Sequence, residues 1–194
     1  MQELLAAVSG ETQIDTVVFL PWLQRLLGGQ DRAAAQRVED ELAFWQQAWG
    51  IAREQLKARI VQVGYDTDEA GPMGVCLSGA ADGAVGMVRD VNRLIRKELP
   101  AGAYFVDLER VAGRMGRDGF YDPRRYHWTK QPFSEAGTAL LGQHLAAGVS
   151  AVTAGPKKVL VLDLDNTLWG GVVGETGPMG ITLGESPDGD AFRA

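Results

Sequence analysis

The sequence predicts an α/β fold: a three-layer unit on a parallel sheet, followed by a second unit that opens with a strand of its own. Three observations predict it. Short β-favouring runs centred on Thr16-Val17-Val18-Phe19, Ile60-Val61-Gln62-Val63 and Tyr104-Phe105-Val106 alternate with segments of helical length, the pattern of a parallel sheet covered by helices. Between the first two runs, Val38, Leu42, Trp45, Trp49, Ala52 and Leu56 recur at alternating spacings of four and three, which makes one apolar helix face. A further apolar run, Val159 to Leu162, follows Gly155-Pro156 and ends in two carboxylates, Asp163 and Asp165.

Taken in order, Met1 to Val8 reads as a weak helix and Ile14 to Leu20 as a strand ended by Pro21. Trp22, Leu23, Leu26 and Leu27 make one helical turn before Gly28-Gly29. Asp31 is the expected N-cap of a long helix from Arg32 to about Ala58. Its Trp45 and Trp49 belong to the core, and Arg37, Glu39, Glu41, Arg53, Glu54 and Lys57 to a solvated face. Arg59 to Tyr65 is the next strand and Asp66 to Pro72 a loop. Ser78 is the expected cap of a helix ending near Leu99-Pro100, with Val85, Val88, Val91, Leu94 and Ile95 inward. Tyr104 to Leu108 is a third strand, Glu109 to Met115 a short helix, and Gly116 to Pro132 a long polar and aromatic loop. Ser134 to about Val149 is the last helix of this unit. The domain boundary is placed at Thr153-Ala154-Gly155-Pro156, dividing the chain into residues 1–153 and 154–194.

Composition narrows the function classes. The chain has 194 residues, 45% hydrophobic and 23% charged, enough to bury a core. A net charge of −6 argues against a general nucleic-acid surface. No apolar run approaches the length of a membrane span, and acidic Glu3 without a basic flank argues against a signal peptide. A single cysteine fits a reducing compartment, so a cytoplasmic location is expected.

The chemistry concentrates at Asp163-Leu164-Asp165-Asn166-Thr167-Leu168. In open α/β sheets ligands bind beyond the carboxyl ends of strands, and residues two apart in an extended chain face the same way. Two acids at one site divide roles: one attacks phosphorus and the other carries the proton. Clustered carboxylates also suit Mg²⁺, a hard cation that keeps several waters. A strand that merely ends in turn-forming Asp and Asn is the plain alternative.

The longer string resembles motif I of the haloacid dehalogenase superfamily. Its continuation, Trp169-Gly170-Gly171-Val172-Val173-Gly174-Glu175, then Gly180-Ile181, Leu183-Gly184 and Ser186-Pro187, is similar to the FkbH-like branch (type IIIC), whose members carry a haloacid-dehalogenase-type domain behind an SGNH-hydrolase-like domain. The resemblance implies that residues 1–153 are part of an SGNH-like unit and that residues 154–194 start a Rossmann-like phosphatase domain. It implies phosphoryl chemistry on an acyl phosphate, 1,3-bisphosphoglycerate in well-known members, with glyceryl transfer to an acyl carrier protein in polyketide-type biosynthesis. Carried over residue by residue, Asp163 is the nucleophile and a Mg²⁺ ligand. Asp165 is the general acid/base and contributes to the metal, and Asn166 and Thr167 shape the phosphate loop. The family pattern also needs a later Ser or Thr, a Lys and further acids. Few residues follow Thr167, so the chain is expected to be a fragment with little activity alone.

Other candidates stand beside their plainer readings. Asp122 and His127 would make an orienting pair of the kind used in SGNH enzymes, but no Gly-Asp-Ser block supplies a nucleophile, and a loop held by aromatics is the simpler account. Arg114, Arg117, Arg124, Arg125 and Lys130 form a basic stretch able to steer an acidic carrier protein. Cys76 lies among apolar residues with no cationic neighbour to activate it, and His144 lacks metal-ligand spacing. Two rivals remain: a non-catalytic α/β interaction module, and an SGNH-type esterase fragment.

Overall fold

The computed structural model describes residues 1–10, 13–28, 31–67, 80, 82–155, 157–184 and 187–192. They fall into two compact units, Met1–Gly155 and Pro156–Ala194. Ser78, Cys76 and Ser186, named above for a cap, a thiol and a second cap, lie outside the described residues.

The first unit is built on a three-stranded parallel sheet in the order β1 (Thr16–Phe19), β2 (Arg59–Val63), β3 (Tyr104–Val106). Val18 stands opposite Val61 across the first pair, and Val63 opposite Val106 across the second. Helices α1 (Gln2–Val8), α2 (Leu23–Leu27) and α3 (Ala34–Gly50) precede β2, and α4 (Ala84–Glu98) precedes β3. After β3 come α5 (Leu108–Met115), α6 (Arg117–Phe120), α7 (Pro123–Thr129) and α8 (Glu135–Ala154).

Alternation along β2 divides the core in two, as a strand buried on both faces requires. Ile60 joins Trp45, Trp49, Val88, Val91 and Ile95 of α3 and α4. Val61 and Val63 join Val106, Val111, Phe120 and Leu141 on the other side. Full burial of such side chains contributes about 1.5–3 kcal/mol each relative to exposure. The stripe read from the sequence is buried at Val38, Trp45, Trp49 and Ala52. Both indoles also satisfy their N–H groups, Trp45 on the Tyr65 hydroxyl at 2.9 Å and Trp49 on Gln62 Oε1 at 2.8 Å.

Past β2 the chain is held by Asn92 of α4. The Tyr65 amide donates to Asn92 Oδ1 at 2.7 Å, and Asn92 Nδ2 donates to the Tyr65 carbonyl at 2.9 Å. Gly64 is needed here, because a Cβ would lie 2.6 Å from the Phe105 ring and 3.0 Å from Asn92 Oδ1.

Several expectations are corrected. Helix α3 starts at Ala34 with Ala33 as its uncapped N-cap, since the chain turns at Asp31 and Arg32 and Asp31 falls too far upstream to cap. It does not continue as α-helix to Ala58: Ile51–Gln55 is a π turn, and Lys57 at φ 56° ends it. Glu41 is not on a solvated face. It is 3% exposed, accepts from Arg25 Nε at 2.8 Å, and receives a short hydrogen bond from the Tyr65 hydroxyl. Residues 116–132 are not a loop. They form α6 and α7, with Asp122 capping α7 and Tyr121 bridging to Phe133. Helix α8 is capped by Ser134, whose Oγ accepts from the Gly137 amide at 2.9 Å, and it extends to Ala154.

The second unit contains α9 (Val173–Thr176) and α10 (Pro187–Asp190). The strand expected at Val159–Leu162 is not formed. A parallel strand exists through its pairing, and no described strand pairs with this run. Val159, Leu160 and Val161 are 77%, 79% and 87% exposed. Among the described residues, no helix is long and apolar enough to cross a membrane.

Candidate functional site

The loop that follows the apolar run is tied to itself. Leu164 accepts through its carbonyl from the amides of Thr167 at 3.2 Å and Leu168 at 2.9 Å, so the chain turns directly after Asp163. Asn166 occupies the left-handed region at φ 56°, which Asn tolerates better than most residues with a Cβ. Its Oδ1 accepts from the Gly171 amide at 2.9 Å, closing the loop from the far side. Gly170 and Thr182 exchange both backbone hydrogen bonds, at 2.9 and 2.8 Å.

The two carboxylates behave differently within this loop. Asp163 is exposed, and its Oδ1 accepts from the neighbouring Leu164 amide at 2.9 Å. Asp165 is half-buried, and its Oδ1 accepts from the Trp169 indole at 3.0 Å and the Val173 amide at 3.2 Å. Val173 is the first residue of α9, so Asp165 ties the loop to a helix start. Each carboxylate is thus engaged through one oxygen by donors of its own loop. Thr167 is exposed beside them. Trp169 went unnoticed as a site residue in the sequence, although it lies four positions beyond the acid it holds.

In kind, the donors suit Mg²⁺, which takes one or two carboxylates and completes its shell with water and phosphate. They do not amount to a closed cage: among the described residues no three His, Cys, Asp or Glu side chains group as a metal site.

The secondary candidates are placed in the first unit. Asp122 uses Oδ1 to cap α7, accepting from the Arg124 and Arg125 amides at 3.0 and 3.1 Å. No hydrogen bond joins it to His127, which lies exposed in the last turn of the same helix. Of the basic stretch, Arg117 is bound inward: its guanidinium meets buried Asp66 at 2.8 Å and Glu109 at 3.7 Å. Asp66 lies just past β2 and also accepts from the Tyr121 hydroxyl at 2.9 Å and the Thr67 amide at 2.9 Å. Nothing in the sequence pairs Asp66 with residues so distant. His144 is half-buried within α8.

No family model matches the sequence, and no curated protein matches it. Among solved structures, the chain is similar to the N-terminal part of the protein BF1531 from Bacteroides fragilis, a part described as containing a phosphatase domain and solved in complex with Mg. The TM-score is 0.61 at 22% identity, over 99% of this chain and 46% of that one. The likeness is one of fold, and the chain spans about half the length of the structure it matches.

Proposed function

We propose that this chain carries the nucleophile loop of a Mg²⁺-dependent phosphoryl-transfer enzyme of the haloacid dehalogenase type, in the FkbH-like branch. The observation that carries the reading is the loop itself: Asp163 exposed at a turn, Asp165 anchored two residues later, and Asn166 left-handed between them and Thr167. The fold likeness to a protein with a Mg-bound phosphatase domain supports it.

In this reading an Asp163 oxygen attacks phosphorus, the bond from phosphorus to the leaving oxygen breaks, and Asp165 gives that oxygen its proton. Water then attacks the aspartyl phosphate, Asp165 takes the proton of the water, and Asp163 and phosphate are released. The hydrogen bonds from Trp169 and Val173 occupy Oδ1 of Asp165 and leave Oδ2 for proton exchange. Asp163 and Asp165 would hold Mg²⁺, which when bound neutralises charge on the phosphoryl oxygens. The substrate is proposed to be an acyl phosphate, which these two steps split into a carboxylate and phosphate; loading of an acyl carrier protein would be a separate transfer, in which the carrier thiol attacks the acyl carbon, the carbon–oxygen bond to phosphate breaks, and phosphate leaves with the thiol proton. Residues 1–153 would be part of the SGNH-like unit of such a protein, and its location the cytoplasm. Among the described residues no third acidic ligand groups with Asp163 and Asp165, so weakly held Mg²⁺ and turnover near background are expected of these 194 residues alone; losing one positioned donor elsewhere costs about 3–4 kcal/mol.

The test is phosphate release from acetyl phosphate, with and without Mg²⁺, by the 194-residue chain and by the longest protein its gene encodes. Mass spectrometry of the peptide bearing Asp163 accompanies it. Mg²⁺-dependent release that disappears in Asp163→Asn, with phosphate trapped on Asp163, is expected in whichever form turns over. Mg²⁺-dependent turnover that survives Asp163→Asn would sink the reading.

A further inference from the structure

We propose that the first unit holds a second binding site, for a small organic anion with an apolar body, in the crevice at the carboxyl ends of its three strands. The crevice has a volume of about 480 Å³ and lies between the segment after β1, the Tyr65–Asp66 segment after β2, Leu108 after β3, and α7. That is where open parallel sheets bind ligands, and the volume is in the range of small-molecule sites.

The wall chemistry selects the ligand. Trp22, Tyr126 and Phe133 line the crevice with aromatic surface, and Trp22 is 54% exposed there. Such faces hold a flat or aliphatic body. Of the two lining carboxylates, Asp66 is engaged through both oxygens by Arg117, Tyr121 and Thr67, and Asp122 holds the start of α7 through Oδ1. Among the described lining residues, the side chains able to present a positive charge to an anionic head are His127 and Lys130, one turn apart at the end of α7, with Gln24 as a neutral donor. Lys130 adopts the left-handed conformation, φ 62° and ψ 16°, which is disfavoured for a residue with a Cβ. Its amide donates to the Tyr126 carbonyl, and its ammonium lies 5.4 Å over the Tyr126 ring. A cation is thereby set beside the aromatic wall. This site is independent of the phosphoryl-transfer reading and shares no residue with it.

The experiment titrates the full chain with octanoate, octyl phosphate and octanol, following amide chemical shifts by NMR and affinity by calorimetry. At least one of the two anions is expected to bind saturably, about tenfold or more tighter than octanol, with shifts at Trp22, Tyr126 and Lys130. Which anion binds identifies the head group. Lys130→Gln and His127→Gln should each lower anion affinity and leave octanol unchanged, and Trp22→Ala should weaken all three. Circular dichroism checks that each variant folds. Absence of saturable binding by either anion, octanol binding as tightly as the anions, or an affinity indifferent to both Lys130→Gln and His127→Gln would overturn the proposal.

Discussion

In residues 1–155 two carboxylates, Glu41 and Asp66, are buried and find partners far along the chain; in residues 156–194 Asp163 and Asp165 are exposed or half-buried and find them nearby. Glu41 reaches Arg25 and Tyr65, 16 and 24 positions away, and Asp66 reaches Arg117 and Tyr121, 51 and 55 away. Asp163 and Asp165 are held by donors one, four and eight positions away. Long-range partners exist only once the tertiary fold has formed, so those acids are part of its stability. Local partners require only a turn, which leaves such acids free to serve chemistry.

Four measurements break or sharpen this contrast. The largest effect is expected from Asp66→Ala, which removes the buried acceptor shared by Arg117, Tyr121 and the Thr67 amide: about 2–3 kcal/mol lost in urea unfolding. A loss below about 1 kcal/mol would place Asp66 among the acids of little structural weight. The second concerns alkaline pH. Burial, and then the adjacent Glu41 carboxylate, push the Tyr65 hydroxyl upward from its ordinary value of 10.0. The folded state keeps this proton where the unfolded state releases it, so the stability is fully present below pH 10 and declines above it. The slope is at most about 1.4 kcal/mol per pH unit. Tyr65→Phe should flatten that decline, and an unchanged slope would remove Tyr65 as its source. Third, Ser134→Ala removes the α8 cap and should cost about 1 kcal/mol by thermal unfolding. The smallest effect is expected at the candidate nucleophile. Asp163→Asn should shift stability by no more than about 0.5 kcal/mol, and a larger loss would show that Asp163 supports its loop rather than stands ready for chemistry.

What was legible in the sequence follows the same division. The positions of the three strands, the stripe of α3 and the helix beginning at Ser134 are set by residues within a few positions of one another, and composition and period reveal them. Glu41 lies three residues after Val38 and four before Trp45, on the apolar face by period; its charge hides that position in the sequence, and its distant partners satisfy it there. The π turn is hidden in the sequence because Ala52 and Leu56 sustain the apolar stripe through it. Helices α6 and α7 are only four and seven residues long, too short to show a helical period. The turn through Asp163–Thr167 is legible because it is local and carries turn-forming Asp and Asn. The strand before it was not, because pairing is a property of two segments and the run itself carries only one.

The uncovered Val159-Leu160-Val161-Leu162 run has a colloidal consequence. A short stretch with high β-propensity and no proline, open to solvent, is a template for intermolecular β-pairing. Lys157 and Lys158 on one side and Asp163 and Asp165 on the other act as gatekeepers, setting like charges against each other in any in-register stack. The acids read here as chemical groups therefore also limit self-assembly. Neutralising them by low pH, or screening the flanks with salt, should raise light scattering at high protein concentration, whereas Val161→Lys should suppress it.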